Sequence, residues 1–157
     1  MNDDALVTPG WFDGLYAALS SSSRAGLVGP VSNDTGDVAT VAASYDSLAG
    51  LLDHARGCRG APEVVSKLSL FCAMLRREAF DAAGGLDEGY GSGMFEDDDL
   101  CMALRARGLD VVLVPSVFVH HASGATLRRL DPFEYHALFE VNRARFERRW
   151  RAQTSSR

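Results

Sequence analysis

This sequence predicts an α/β fold, a layered sheet covered by helices, and two observations carry that prediction. Short runs such as AGLVGP (25–30) and KLSLFCAML (67–75) are apolar on both faces, which is the composition of interior strands. Between them lie segments whose apolar residues recur at helical spacing, the alternation a layered sheet needs. At 157 residues, 46% hydrophobic and 24% charged, the chain is of a size that buries one core.

The elements follow in order. TPGWFDGLYAALSS predicts a helix with Thr8 as N-cap, Pro9 in the first turn, and Phe12, Leu15, Tyr16 and Leu19 on one face. AGLVGP is a buried strand, and the small, polar VSNDTGDVATVAAS after it is a long loop suited to lie over a site. YDSLAGLLDHARG places Leu48, Leu51, Leu52 and Ala55 at helical spacing and closes on Gly57. In KLSLFCAML, Leu68, Leu70, Cys72 and Met74 face one way and Phe71, Ala73 and Leu75 the other, so an interior strand is expected. RREAFDAAGG is a short helix with a glycine stop. Residues 84–93 then concentrate five glycines, too flexible for regular structure unless the segment wraps something. DDDLCMALRARG is a helix ended by Gly108, and LDVVLVPSVFVHH is strand-like with a break at Pro115. Finally, DPFEYHALFEVNRARFERRW puts Tyr135, Leu138, Phe139, Asn142, Phe146 and Trp150 on one stripe.

Charge is unevenly spread. Residues 1–127 carry 8 basic and 17 acidic side chains, whereas 128–157 carry 8 arginines and 4 acids, so the net charge of −5 joins an acidic body to a basic, amphipathic C-terminal helix. Half of the tail's charge is compensated and no nucleic-acid fingerprint occurs, so nucleic acid is not an expected partner. No apolar run is long enough to span a bilayer, and the N-terminus MNDDALVTPGWF lacks the basic start and apolar stretch of a signal peptide. Cys58, Cys72 and Cys101 are an odd set without metal-type spacing, as expected of reduced thiols in a cytoplasmic protein.

Three features could do chemistry. In GMFEDDDLCMALRARG, Glu96, Asp97, Asp98 and Asp99 stand in succession. Acids at a helix N-terminus meet the positive end of its dipole at about 0.3–1 kcal/mol each, which accounts for one or two of them but not for four after a glycine-rich loop. Asn2, Asp3 and Asp4 open the chain. Hard cations such as Mg²⁺ and Mn²⁺ take carboxylate and phosphate oxygens, although an acidic pair near a terminus is ordinarily just solvated. VFVHHASGAT ends an apolar strand on His120 and His121, which regular strand geometry points to opposite faces, leaving one for a site and one for packing.

These motifs, in this order, resemble the C-terminal part of family 2 glycosyltransferases of the GT-A fold. The likeness runs through NDDALVTPGWFDGL, GLVGPVSN, SLFCAMLRREAFDAAGGLDEGYGSGMFEDDDLCMALRARGLDVVLVPSVFVHHASGAT and NRARFERRW, nearly the whole chain. The FEDDDLCMALRARG block after GGLDEGYGSG is its most specific part.

The resemblance implies a partial GT-A fold, a Rossmann-like mixed sheet flanked by helices, with residues 1–127 as the metal and acceptor side of a catalytic domain. It also implies that the N-terminal nucleotide-binding half of such enzymes is missing from this chain. Asn2-Asp3-Asp4 takes the place of a D-x-D-type motif, with Asp4 as ligand to Mg²⁺ or Mn²⁺ and Asp3 a weaker participant in binding the sugar-nucleotide diphosphate. Glu96-Asp97 matches the family's Glu-Asp motif, which makes Asp97 the base toward the acceptor hydroxyl and Glu96 its companion. Asp98 and Asp99 are left with capping and structural duties. The H-x-x-x-x-T pattern favours His121 over His120 as a further metal ligand, and the glycine loop 84–93 is the mobile segment beside the acceptor. Asn142, within N-x-x-x-F-x-x-x-W, is expected to be a buried amide bonded to backbone.

The activity implied is metal-dependent, inverting transfer of a sugar, of hexosyl or rhamnosyl type, from a nucleotide-sugar to a glycan or glycolipid acceptor. It implies a cytoplasmic protein working in cell-envelope polysaccharide synthesis, whose basic helix rests on the inner membrane face and whose exposed sheet edges favour a homodimer. The alternative is a truncated, inactive module kept for binding or assembly. A carboxylate-pair glycoside hydrolase is disfavoured, because the adjacent Glu96 and Asp97 cannot flank one bond from both sides.

Overall fold

A computed structural model of the protein describes residues 1–122 and 131–154. Its elements are β1 (Ala5–Val7), α1 (Trp11–Ser20), β2 (Ala25–Val31), α2 (Leu48–Gly57), β3 (Glu63–Val65), β4 (Met74–Leu75), α3 (Arg77–Ala83), α4 (Glu96–Ala106), β5 (Asp110–His121) and α5 (Pro132–Thr154), with a single 3₁₀ turn at Glu88–Tyr90. The fold is mixed α/β, as the sequence predicts, and compatible with a partial Rossmann-like sheet.

The twelve-residue β5 organises the sheet. It runs parallel to β2 and antiparallel to β1 and β3, and β4 adds antiparallel to the other edge of β2. Its side chains alternate between two cores. Val111, Leu113 and Phe118 join Leu27, Leu51, Leu100, Leu104 and Trp150 on one side. Val112, Val114, Val117 and Val119 join Leu15, Leu19, Val28 and Phe71 on the other.

The expected break at Pro115 is not the end of the strand. The register jumps from Pro30↔Val114 to Val31↔Phe118, so residues 115–117 swell out and β5 then resumes. Pro30 and Pro115 have no N–H to give, and the ladder yields where the two prolines occur. The resumed stretch matters because it pairs with β1 and delivers His121 beside Asp4, with His120 opposite Leu6.

Three expectations are corrected. Thr8 does not cap α1; its hydroxyl donates to the Phe118 carbonyl at 2.6 Å, and the helix starts after Gly10, whose φ of 81° is left-handed. Phe12 and Tyr16 are exposed, at 52% and 58%, and stack on each other, while Leu15, Ala18 and Leu19 fill the interface. Gly14 explains the tilt: a Cβ there would lie 2.5 Å from Val117 Cγ2, so α1 seats on its glycine and turns the aromatics outward.

The interior strand expected over 67–75 shrinks to Met74–Leu75. Leu68, Phe71 and Cys72 are buried all the same. Their backbone is bonded elsewhere: Ser69 N–H donates to Asp37 Oδ2 at 2.6 Å, and the Phe71 carbonyl accepts from Asn2 N–H at 2.7 Å. Two apolar faces marked burial correctly, but burial is met by an irregular segment as well as by a strand.

Along α5 the expected stripe is graded. Tyr135 is 43% exposed, Leu138, Phe139 and Phe146 are half-buried, and Asn142 and Trp150 are buried. The boundary drawn at residues 127 and 128, and Thr126 of the H-x-x-x-x-T pattern, lie outside the described residues. Among the described residues no helix is long and apolar enough to cross a membrane. The three cysteines are free, with Cys72 and Cys101 buried.

Candidate functional site

The first centre forms where β1 and β5 meet. Ala5 pairs with His121, and Ala122 N–H donates to the Asp4 carbonyl at 3.0 Å, which fixes Asp4 beside the imidazole. Asp4 Oδ1 lies 3.2 Å from His121 Nε2. That buried oxygen nonetheless accepts no hydrogen bond of good alignment.

The loop after β2 sets the tautomer of the ring. His121 Nδ1 lies 2.9 Å from the Asp34 main-chain carbonyl, which can only accept, so Nδ1 carries the hydrogen. In the neutral ring Nε2 is then a lone pair facing a carboxylate. Asn33 secures the arrangement: its Nδ2 donates to the His121 carbonyl and its Oδ1 accepts the His121 N–H, both at 2.8 Å. Phe71 stacks on the imidazole at 4.8 Å. Two lone-pair donors pointed together and held from behind fit a divalent cation accepting one nitrogen and one oxygen. Among the described residues no group of three His, Cys, Asp or Glu gathers to hold a metal, so this pair supplies part of a coordination sphere. Asp3 is exposed, and His120 is turned away, its Nδ1 2.6 Å from the Tyr45 hydroxyl.

The second centre is the first turn of α4. All four acids fall there, after Phe95, and each has a different environment. Asp99 is 1% exposed and accepts from Arg149 at 2.6 Å, Trp150 Nε1 at 2.8 Å and the Tyr90 hydroxyl at 3.3 Å. Asp98 pairs with Lys67 at 2.8 Å. Asp97 accepts only the Asp98 N–H, at 2.8 Å, and its carboxyl is pushed up to about 6, chiefly by burial and next by the charge of Glu96. Glu96 Oε2 is buried with no partner. Asp98 and Asp99 are thus committed to structure, whereas Glu96 and Asp97 are kept under-bonded.

One segment links the two centres. Lys67 reaches Asp98 at one end, and Phe71 covers His121 at the other. None of Asn33, Asp34, Lys67 or Phe71 stood out as a candidate from sequence. The polar loop marked only a region for the first two, and Phe71 was indistinguishable from core. A hollow of about 90 Å³ lies apart from both centres, lined by Thr8, Trp11, Leu52, Arg56 and Ser116 among others, and brings no carboxylate or histidine.

No family model matches the chain, and no solved structure matches it. It is 37% identical over 150 aligned residues to an N-acetylglucosaminyl-diphospho-decaprenol L-rhamnosyltransferase of Mycobacterium tuberculosis, in each of two strains, covering 83% of this chain and 48% of that protein. An uncharacterized protein of Sinorhizobium fredii is 35% identical over 86 residues, 55% of this chain and 10% of that protein. The chain spans about half the length of the rhamnosyltransferases it matches. By sequence, then, this chain is similar to a glycosyltransferase.

Proposed function

We propose that this chain supplies the metal and acceptor side of a glycosyltransferase that moves a sugar from a nucleotide-sugar to a hydroxyl of a glycan or glycolipid, with inversion. The observation that carries the reading is the under-bonded pair Glu96–Asp97, in which Asp97 is raised to about 6. A general base works best with a pKa near the operating pH, and an ordinary surface aspartate is too acidic for that task.

In this reading Asp97 takes the proton of the acceptor hydroxyl. The oxygen attacks the anomeric carbon from the face opposite the nucleotide diphosphate, and the carbon–oxygen bond to the diphosphate breaks with its electron pair leaving on the phosphate. Glu96 keeps Asp97 basic by its charge and binds the acceptor. Asp4 and His121 would hold Mg²⁺ or Mn²⁺, a cation that offsets the charge of a leaving diphosphate. Asp3, at the exposed rim, contributes at most secondary charge to donor binding. The relative's name supports a rhamnosyl-type donor and a lipid-linked acceptor. An acceptor of that kind fits a protein working at the cytoplasmic face of a membrane.

The test is transfer from a panel of nucleotide-sugars to lipid-linked and oligosaccharide acceptors, with Mn²⁺, by the chain completed with an N-terminal nucleotide-binding half. The expected result is an inverted product whose formation falls about 10²- to 10⁴-fold in Asp97→Asn. Unchanged transfer by that variant sinks the base assignment. No calorimetric binding of any nucleotide-sugar by that completed chain would leave a binding or assembly module as the better reading.

A further inference from the structure

Met94 and Phe95 have φ of 71° and 73°, the non-glycine residues with positive φ among those described, and they stand directly before Glu96 and Asp97. Side chains in the left-handed region are strained, and such strain persists only where the surroundings impose it. Here α5 imposes it. Asn142 is 1% exposed, and its side-chain Nδ2 donates to the carbonyls of Tyr90 (2.8 Å), Gly93 (2.7 Å) and Met94 (3.2 Å). One turn to either side, Phe139 and Phe146 hold the Phe95 ring at 5.3 and 5.6 Å. Arg145 grips Asp87 at the start of the same loop with two nitrogens.

We propose that Asn142 is a positioning residue for the Glu96–Asp97 pair: by tying three loop carbonyls to α5 it fixes the left-handed turn that starts α4 with both carboxylates under-bonded and shielded. This rests on the reading of Asp97 as base. It goes beyond that reading by giving the buried amide a chemical consequence. Water would bond the three carbonyls if the amide were gone, and the turn would relax toward conformations that expose the pair. The charges facing Asp97, namely Glu96, Asp98 and Lys67, do not change with Asn142, so any movement of Asp97 reports its shielding.

The experiment is a carboxyl-carbon NMR titration of Asp97 in the full chain and in Asn142→Leu, a near-isosteric change that removes the donors without adding charge. Asn142→Ala, which removes the same donors with a smaller side chain, is the second variant if the first does not fold. The Asp97 midpoint is expected to fall from about 6 by about one pH unit in either variant. A midpoint that stays put in folded Asn142→Leu, or in Asn142→Ala where the leucine variant does not fold, overturns the proposal and leaves Asn142 a structural residue only. The readout needs no sugar transfer. Failure of Asp97→Asn to slow transfer would therefore overturn the base assignment alone, and the two failures are distinguishable.

Discussion

The Asp34 main-chain carbonyl, 2.9 Å from His121 Nδ1, decides which nitrogen His121 shows to Asp4. A backbone acceptor behind one ring nitrogen frees the other as a ligand, the usual support of metal-binding histidines. Added Mn²⁺ should therefore raise the melting temperature of the chain. At about ten times its dissociation constant the gain is about 1.4 kcal/mol, roughly 3–6 °C for a domain of this size. Asp4→Ala and His121→Ala should each abolish the shift, read by differential scanning fluorimetry. Asn33→Ala, which frees the His121 backbone, should demand about 10- to 100-fold more Mn²⁺ for the same shift.

Asp97 makes a prediction about pH, whose sign follows from its raised pKa of about 6 against about 3.9 in an unfolded chain. Between those values the folded state holds the extra proton. Stability therefore falls as pH rises through that window, and above it the ionised carboxylate costs at most about 2–3 kcal/mol. Asp97→Asn should stabilise the chain by up to that amount at pH 7–8 and by little near pH 4. Urea denaturation at both pH values checks it. A gain in stability together with the expected loss of transfer is the pattern of a residue kept at a cost for function.

Asp99 should behave in the opposite way. Removing it takes from Arg149 its 2.6 Å partner, with Asp87 remaining 3.5 Å away, and from the Trp150 indole N–H its 2.8 Å bond in the core, so Asp99→Ala should cost about 2–3 kcal/mol. Asp98→Ala breaks a bond to Lys67, which is 48% exposed, and should cost about 1 kcal/mol or less. Chemical denaturation of the two variants side by side would show whether neighbouring acids in one helical turn differ this much. Equal costs would refute the division of labour among them.

That division was only partly legible in the sequence. The helix, its inward Leu100, Ala103 and Leu104, and its position at the head of an acidic run follow from local periodicity, and the structure agrees. Asp99 could not be told from Asp98 by the same means, because its partners Arg149 and Trp150 are some fifty residues away. The tautomer of His121 depends likewise on a loop carbonyl 87 residues distant. Contacts set by a β5 that pairs with three strands at once do not leave a local trace. Where local reading failed, at Phe12 and Tyr16 and over 67–75, it had judged a face or an element from apolar content alone. Chain direction and close approach to neighbouring backbone then decided otherwise.

Gly14 is where that correction can be weighed. In an exposed helix interior, glycine to alanine gains about 1 kcal/mol. At Gly14 the new methyl would meet Val117 Cγ2 at 2.5 Å, and Val117 sits in the core between α1 and the bulge of β5. Moving it out of the way costs about 1–3 kcal/mol, so overlap outweighs propensity. Gly14→Ala should therefore destabilise by up to about 2 kcal/mol. Gly57→Ala, at the end of α2 with nothing within 4 Å, is the matched control and should be neutral or stabilising by up to about 1 kcal/mol. Melting temperatures moving in opposite directions would establish that α1 docks through its glycine and not through its aromatic stripe. A stabilised Gly14→Ala would mean that the helix sits further from β5 and that Phe12 and Tyr16 are free to turn inward.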